Sequence, residues 1–209
     1  MSLHFRPATP ADTAAAVPLI HSAGPEAFEY GYSYAGRSAR DFLAHTFADG
    51  SGLFGCNIHT VAELDGRVVG IGSFYSGQEY GALTQRLLLQ MLRFYPLTAM
   101  PQLVKRSLQL GKMSPAPSRR THFVANFGVR PELRSQGIGA ALLHHQRQVG
   151  RQLGRIKFAL DVSVANPRGQ ALYERLGMMV VREQRFPGPA GAVPDARRME
   201  MSLAPGDIP

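Results

Sequence analysis

The chain has 209 residues, of which 44% are hydrophobic and 18% charged, a balance typical of one globular domain over residues 1–209. The net charge of +8 favours an anionic partner such as a phosphorylated cofactor, whereas the arginines are too scattered to favour nucleic acid. No apolar run approaches the roughly 20 residues of a membrane span, and the start, MSLHFRPATP, lacks the apolar segment of a secretory signal. We therefore expect a cytoplasmic protein with no membrane partner. Because Cys56 is the single cysteine, we also expect no metal site.

The first part of the chain predicts a strand, two helices and a hairpin. A strand over LHFRPAT precedes a helix over PADTAAAVPLIHSAG, and Phe42, Leu43 and Phe47 indicate another helix. The segments NIHTVAEL and RVVGIGSFYS alternate or are β-branched, and Asp65-Gly66 between them signals a two-residue hairpin turn.

A long segment, from about residue 78 to 118, follows the hairpin. GALTQRLLLQMLRFYP and MPQLVKRSLQLGK have helical periodicity, so we predict a helical insert between strands 3 and 4. Two interpretations stay open beside simple packing on the core. The insert is a wall or lid of a substrate site, or it is the surface of a homodimer.

The last part alternates strands with helices. THFVANFGV is a strand, RSQGIGAALL opens a helix that ends near Gly154, and IKFALDVSV is another strand. Asn166-Pro167 caps a further helix that Gly177 closes, and two strands, MMVVREQRF and RRMEMSL, complete the chain. This order predicts one mixed α/β sheet rather than a doubly wound repeat.

Two glycines, Gly137 and Gly139, stand where the first of these helices begins. A helix N-terminus has unpaired N–H groups and a partial positive charge, so uncovered backbone there can hold a pyrophosphate. The alternative is a tight turn in which glycine serves packing only. A P-loop lysine is missing, and Leu142 stands where a dinucleotide-binding fingerprint has its third glycine.

The stretch FGVRPELRSQGIGAALL resembles the signature of the GCN5-related N-acetyltransferase (GNAT) superfamily, with its Arg/Gln-x-x-Gly-x-Gly/Ala pattern matched by Arg134, Gly137 and Gly139. VSVANPRGQALYERLGM resembles the family's second motif through Asn166, Tyr173 and Gly177, with Met178 in place of the common Phe. The resemblance implies an α/β fold of GNAT type. Its central sheet would be mixed, mostly antiparallel and flanked by helices, with the helical insert between strands 3 and 4.

The resemblance further implies acetyl-CoA as the donor substrate. The pyrophosphate would lie on residues 134–140, and the pantetheine arm would pair with the end of the fourth strand. Asn166 would bond the pantetheine arm or the adenosine side. The implied binding residues are Phe127, Gly128, Val129, Arg134, Ser135, Gln136, Gly137, Ile138, Gly139, Ala140 and Asn166.

Tyr173 is the residue that the resemblance implies as general acid, because a phenol can protonate a departing thiolate of comparable basicity. Many members carry an acidic residue on the fourth strand, where this chain has Ala125 and Asn126. The candidates for the base are therefore His122, Glu63 and a water relayed by Asn126.

The leading hypothesis is an N-acetyltransferase that moves an acetyl group to a primary amine of a small molecule or peptide by direct attack in a ternary complex. One alternative is a non-catalytic acyl-CoA-binding sensor or pseudoenzyme with the same fold. Another is a nucleotide-dependent oxidoreductase of Rossmann type, which the spacing of the glycines disfavours. The expected partners are acyl-CoA and an amine acceptor.

Overall fold

A computed structural model describes residues 2–204 of the chain. The strands are β1 (Leu3–Pro7), β2 (His59–Leu64), β3 (Arg67–Tyr75), β4 (Thr121–Val129), β5 (Lys157–Ser163), β6 (Met179–Gln184) and β7 (Ala196–Ser202). The helices are α1 (Thr13–His21), α2 (Pro25–Tyr32), α3 (Ala39–Asp49), α4 (Gly77–Phe94), α5 (Met100–Met113), α6 (Ile138–Gln152) and α7 (Pro167–Arg175). Within residues 2–204, no helix combines the length and apolar character needed to cross a membrane.

The strands form one seven-stranded sheet in the order β1-β2-β3-β4-β5-β7-β6. Only β4 and β5 are parallel neighbours, and every other pairing is antiparallel. The hairpin between β2 and β3 turns at Asp65 and Gly66, both at positive φ (48° and 77°), as the predicted turn type requires. The mixed, mostly antiparallel sheet predicted from the sequence is confirmed.

Helices cover both faces of the sheet. Residues that alternate along a strand point to opposite faces. Val68 belongs to the buried cluster that includes residues of α1 to α5, whereas Val69 belongs to the cluster that includes residues of α6 and α7. The first face has the larger apolar cluster, which contains the fully buried Phe42 and Phe47 of α3.

The insert between β3 and β4 consists of α4 and α5, as predicted. Leu87 and Met91 of α4 and Leu103 of α5 are buried in the cluster that α1 to α3 form on the sheet. The insert is therefore part of the core on that face.

Helix α2 is an element that the sequence pattern did not reveal. Pro25 occupies its first turn, which suits a residue without an N–H donor. Its apolar side chains, Phe28 and Tyr32, pack against Phe54 with ring centroids 5.6 and 5.4 Å away. This short helix is stabilised by aromatic contacts with distant segments.

Candidate functional site

A cleft opens where the two parallel strands separate. β4 pairs with β5 only from Thr121 opposite Lys157 to Val124 opposite Leu160, and beyond that point the strands part. The opening is a narrow slot of about 60 Å³. Its lining residues are Ala23, Val124, Ala125, Asn126, Phe127, Leu160, Asp161, Val162, Ser163, Asn166 and Tyr173.

A bulge in β4 forms one wall of this cleft. Ile71 of β3 pairs with Gly128 but Ser73 pairs with Ala125, so β4 has one more residue than β3 over this interval. The extra residue bends the strand, and Asn126 adopts a positive φ of 52°. Its amide Nδ2 donates to the carbonyl of Leu53 (3.3 Å) and to Ser73 Oγ (3.2 Å), which fixes the bulge.

The loop from Arg134 to Gly137 presents a row of backbone donors. The N–H groups of residues 135–140 make no hydrogen bond to any residue in the range 2–204. Ser135 and Gly137 both have positive φ, 65° and 83°. These N–H groups lie at the start of α6, where the helix dipole adds positive potential, so the loop has the donors and charge to hold a pyrophosphate.

The two glycines of the loop have different environments. A Cβ at Gly137 would meet nothing within 4 Å, whereas one at Gly139 would lie 3.5 Å from Phe127 and from Val129. Gly137 therefore faces open space and requires glycine for its positive φ. Gly139 instead lies against the sheet, where an added Cβ would make ordinary van der Waals contacts.

The packing of α1 against β4 restricts residue 128 to glycine. A Cβ there would lie 2.4 Å from the carbonyl oxygen of Leu19, so α1 can approach β4 this closely only because residue 128 is glycine. The side-chain-free face of Gly128 is thus occupied by α1.

Two arginines flank the donor loop. Arg134 Nε donates to the carbonyl of Val129 at 3.2 Å, and Arg168 Nη2 donates to Ser135 Oγ at 3.1 Å. Sequence reasoning selected Arg134 but missed Arg168, which follows the capping residue Asn166 by two positions. The guanidinium of Arg168 adds positive charge to this loop.

Asn166 caps α7 and lines the cleft. Its Oδ1 accepts the backbone N–H of Gly169 at 2.9 Å, as the predicted cap requires. Its Nδ2 makes no hydrogen bond to another residue in the range 2–204.

Tyr173 projects from α7 into the cleft and is 7% exposed. Burial raises the pKa of its phenol to about 12, because the phenolate is disfavoured away from water. No hydrogen bond from its hydroxyl to another residue in the range 2–204 is present. The group is a protonated donor at neutral pH.

His122, a sequence candidate for the base, is not brought to the cleft. It lies on the face of β4 that α6 covers, stacked between Phe74 and Phe158 at 5.7 and 5.9 Å. Its Nε2 is hydrogen-bonded to Gln146 Oε1 at 3.0 Å, and burial lowers its pKa. Strand alternation sends residue 122 into the core, so its placement is that of a structural histidine.

Glu63, another sequence candidate for the base, is on β2 and forms an ion pair with Arg6 at 2.8 Å. It does not line the cleft either.

An acidic residue, Asp161, does line the cleft. Arg198 binds it through Nε (2.9 Å) and Nη2 (2.8 Å), and Ser114 Oγ donates to it at 2.6 Å. Arg198 also donates to the carbonyl of Pro115 at 2.8 Å. This network ties the end of the insert to the cleft wall.

Comparisons with known proteins identify the family of the chain. The profile of the acetyltransferase (GNAT) family matches residues 25–178, which include the donor loop, the cleft and Tyr173. The chain therefore belongs to the GNAT acetyltransferase family. No curated protein sequence was similar enough to count as a match.

Solved structures show the same fold. An N-acetyltransferase from Staphylococcus aureus Mu50 is 14% identical and has a TM-score of 0.72, with 95% of this chain and 100% of that chain covered. Another acetyltransferase structure is 18% identical with a TM-score of 0.68, covering 96% of this chain and 100% of that one. The ribosomal-protein-S18-alanine N-acetyltransferase from Escherichia coli is 17% identical with a TM-score of 0.56, covering 100% and 99%. At these identities the likeness is one of fold.

Proposed function

We propose that the protein is an acetyl-CoA-dependent N-acetyltransferase that acts on a primary amine of a small molecule or peptide. One observation carries the proposal. The unpaired N–H groups of residues 135–140 stand at the start of α6, beside the split between β4 and β5 in which Tyr173 is buried. When bound, acetyl-CoA supplies an acetyl group activated as a thioester.

The chain's residues fit that donor. The backbone of residues 135–140, with Arg134 and Arg168, would hold the pyrophosphate. The backbone of Phe127 to Val129, which has no β5 partner, would pair with the amides of the pantetheine arm.

Direct attack by the acceptor amine fits the placement of the nucleophilic side chains. Cys56, the single cysteine, is buried among residues of α1 to α3 and is not one of the cleft residues. In the proposed step, the amine nitrogen bonds to the acyl carbon as the carbon–sulfur bond breaks. Tyr173 then gives the proton on its Oη to the departing thiolate.

The amine also has to lose a proton. Asn126 is the polar residue of β4 that lines the cleft. Both hydrogen bonds found for its side chain use Nδ2, which leaves Oδ1 available to orient a water in the cleft. We propose that this water accepts the proton, because His122 and Glu63 lie elsewhere.

A melting experiment with acetyl-CoA, and with NAD and ATP as controls, tests donor binding. A ligand at 100 times its dissociation constant stabilises by about 2.7 kcal/mol, which shifts the melting temperature by several degrees. We expect a rise with acetyl-CoA only. An equal rise with NAD, or none with acetyl-CoA, contradicts the proposal.

Tyr173→Phe separates an enzyme from a non-catalytic acyl-CoA sensor. We expect kcat for thiol release to fall about 100-fold, in the range of a lost general acid, while the acetyl-CoA dissociation constant changes little. If the wild-type protein binds acetyl-CoA but releases no thiol with any amine, the sensor alternative replaces the enzyme.

A further inference from the structure

A buried serine of β3 lies beside the bulge of β4. Ser73 is 0% exposed, so its hydroxyl makes its polar contacts away from water. The hydroxyl donates to the carbonyl oxygen of Ala125 at 3.0 Å and accepts a hydrogen bond from Asn126 Nδ2 at 3.2 Å. Ala125 and Asn126 both line the cleft. One hydroxyl of β3 therefore contacts two consecutive cleft residues of β4.

The partners of the Asn126 amide decide which way the amide faces. A backbone carbonyl only accepts, so the single hydrogen of the Ser73 hydroxyl is used on Ala125, and toward Asn126 the hydroxyl oxygen acts as an acceptor. The other partner of Asn126 is the carbonyl of Leu53, which is also an acceptor. Two acceptors on the same side select the NH2 group of the amide. The carboxamide oxygen, Oδ1, is therefore turned away from Ser73 and Leu53.

The Oδ1 atom of Asn126 is open to solvent. Neither of the hydrogen bonds found for this side chain within residues 2–204 involves it. It is also not one of the buried side-chain atoms that lack a partner in that range. Because Asn126 lines the cleft, an acceptor atom with this orientation is available to a water molecule there.

The backbone at Asn126 makes this arrangement depend on Ser73. Its φ of 52° is in the left-handed region, which asparagine tolerates better than most residues but still at a cost in free energy. The two side-chain hydrogen bonds offset that cost. Without the Ser73 hydroxyl, the carbonyl of Leu53 alone would hold the amide. The direction of Oδ1 would then no longer be fixed.

We propose that Ser73 is a positioning residue for acetyl transfer, because it orients the Asn126 amide and, through it, the water that takes the proton of the acceptor amine. The inference rests on the proposed acetyltransferase function. In this step an N–H bond of the ammonium breaks and its electron pair stays on nitrogen. The water oxygen binds the proton and passes one on to solvent, and the nitrogen lone pair attacks the acyl carbon. Ser73 itself touches neither substrate.

Ser73→Ala tests the orientation, with Ser76→Ala as the matched control. Ser76 is also 0% exposed, but its Oγ donates to Glu79 Oε2 at 2.7 Å, at the start of α4. NMR on the full chain measures how fast the side-chain amide protons of Asn126 exchange with water. We expect slow exchange in wild type and Ser76→Ala, and exchange about tenfold faster in Ser73→Ala, as for the loss of one hydrogen bond. Equal exchange in all three proteins would overturn the inference.

Two small acceptors distinguish help with proton transfer from a purely structural effect. Methylamine, like other alkyl amines, is protonated at neutral pH and has to lose a proton before it attacks, whereas methoxyamine arrives unprotonated. We expect Ser73→Ala to lower kcat/KM for methylamine about tenfold. The kcat/KM for methoxyamine and the acetyl-CoA dissociation constant should stay close to the wild-type values. An equal fall with both amines would show that Ser73 only maintains the shape of the cleft.

The behaviour of wild type separates this inference from the proposed function. If wild type acetylates methylamine and Ser73→Ala does so equally well, Ser73 has no positioning role and the enzyme stands. If wild type does not bind acetyl-CoA, the proposed function fails, whatever the amide protons show. If wild type binds acetyl-CoA but releases thiol with neither amine, acetyl transfer and its positioning residue are both rejected.

Discussion

Gly137 and Gly139 are both part of the family signature, yet only Gly137 has a backbone conformation that requires glycine. Gly137 combines a positive φ with open space beside its Cα, whereas Gly139 faces the ring of Phe127. A positive φ is a backbone requirement that favours glycine, whereas the Cβ of an alanine at position 139 would make ordinary contacts. Only Gly137 is positioned to leave room for a ligand.

Gly137→Ala should therefore weaken acetyl-CoA binding as well as stability. An alanine at positive φ costs about 1 kcal/mol, and its methyl group enters the space beside the unpaired N–H groups. Gly154→Ala, at the other end of α6, is the matched control, because Gly154 also has a positive φ (67°) and open space. Both variants should lose similar stability in urea, but calorimetry should show weaker acetyl-CoA binding for Gly137→Ala alone. Equal affinities would show that the loop does not hold the donor.

At the scale of elements, the insert contacts both the large apolar cluster and the wall of the cleft. Leu87, Met91 and Leu103 join the large cluster on the sheet, while Ser114 and Pro115 bind the Asp161–Arg198 pair at the cleft. The helical pair is thus held to the core by its apolar side, and the segment after α5 is held to the wall of the cleft. Its outer surface still exposes leucines, among them Leu108 at 66%.

Substitutions in α5 test how far the insert stabilises the fold. Leu103 is 0% exposed, so Leu103→Ala should cost about 2–5 kcal/mol of unfolding free energy. Leu108→Ala on the same helix should cost less than about 0.5 kcal/mol. Urea unfolding measures both. A small effect of Leu103→Ala would mean that the insert is not part of the cooperative unit.

At the scale of the whole molecule, buried histidines on both faces of the sheet make stability depend on pH. His59 is 2% exposed, its Nδ1 is hydrogen-bonded to the carbonyl oxygen of Gly55 at 2.7 Å, and its Nε2 has no partner within residues 2–204. Burial lowers its pKa from 6.5 to about 4. His122, on the other face, also has a lowered pKa because of burial.

The direction of the pH effect follows from which state binds the proton. Between the two pKa values the unfolded chain is protonated at residue 59 and the folded one is not, so stability is full above about pH 6.5 and falls toward pH 4. We expect His59 to contribute a loss of about 2 kcal/mol between pH 6.5 and about pH 5. Urea titrations across this range measure it. His59→Gln should reduce the slope, and an unchanged slope would exclude His59 as its origin.

Sequence reasoning worked best where the determining interactions are local. The hairpin turn at Asp65-Gly66, the cap at Asn166 and the start of α6 at Gly137 each depend on a few consecutive residues. It missed α2, because a helix of eight residues depends on tertiary packing more than on its own propensity. It also missed Arg168, whose contact with Ser135 joins two separate motifs.

The sequence by itself determined the order of the strands and of the helices other than α2, the mixed sheet and the loop of free N–H groups, because periodicity and backbone conformation are encoded over short stretches. Only the tertiary structure decided which side chains share the cleft. It placed His122 in the core and brought Asp161, Arg198 and Ser114 together at the cleft wall. Strand register and the approach of the insert fix those contacts, and both depend on residues far apart in the chain.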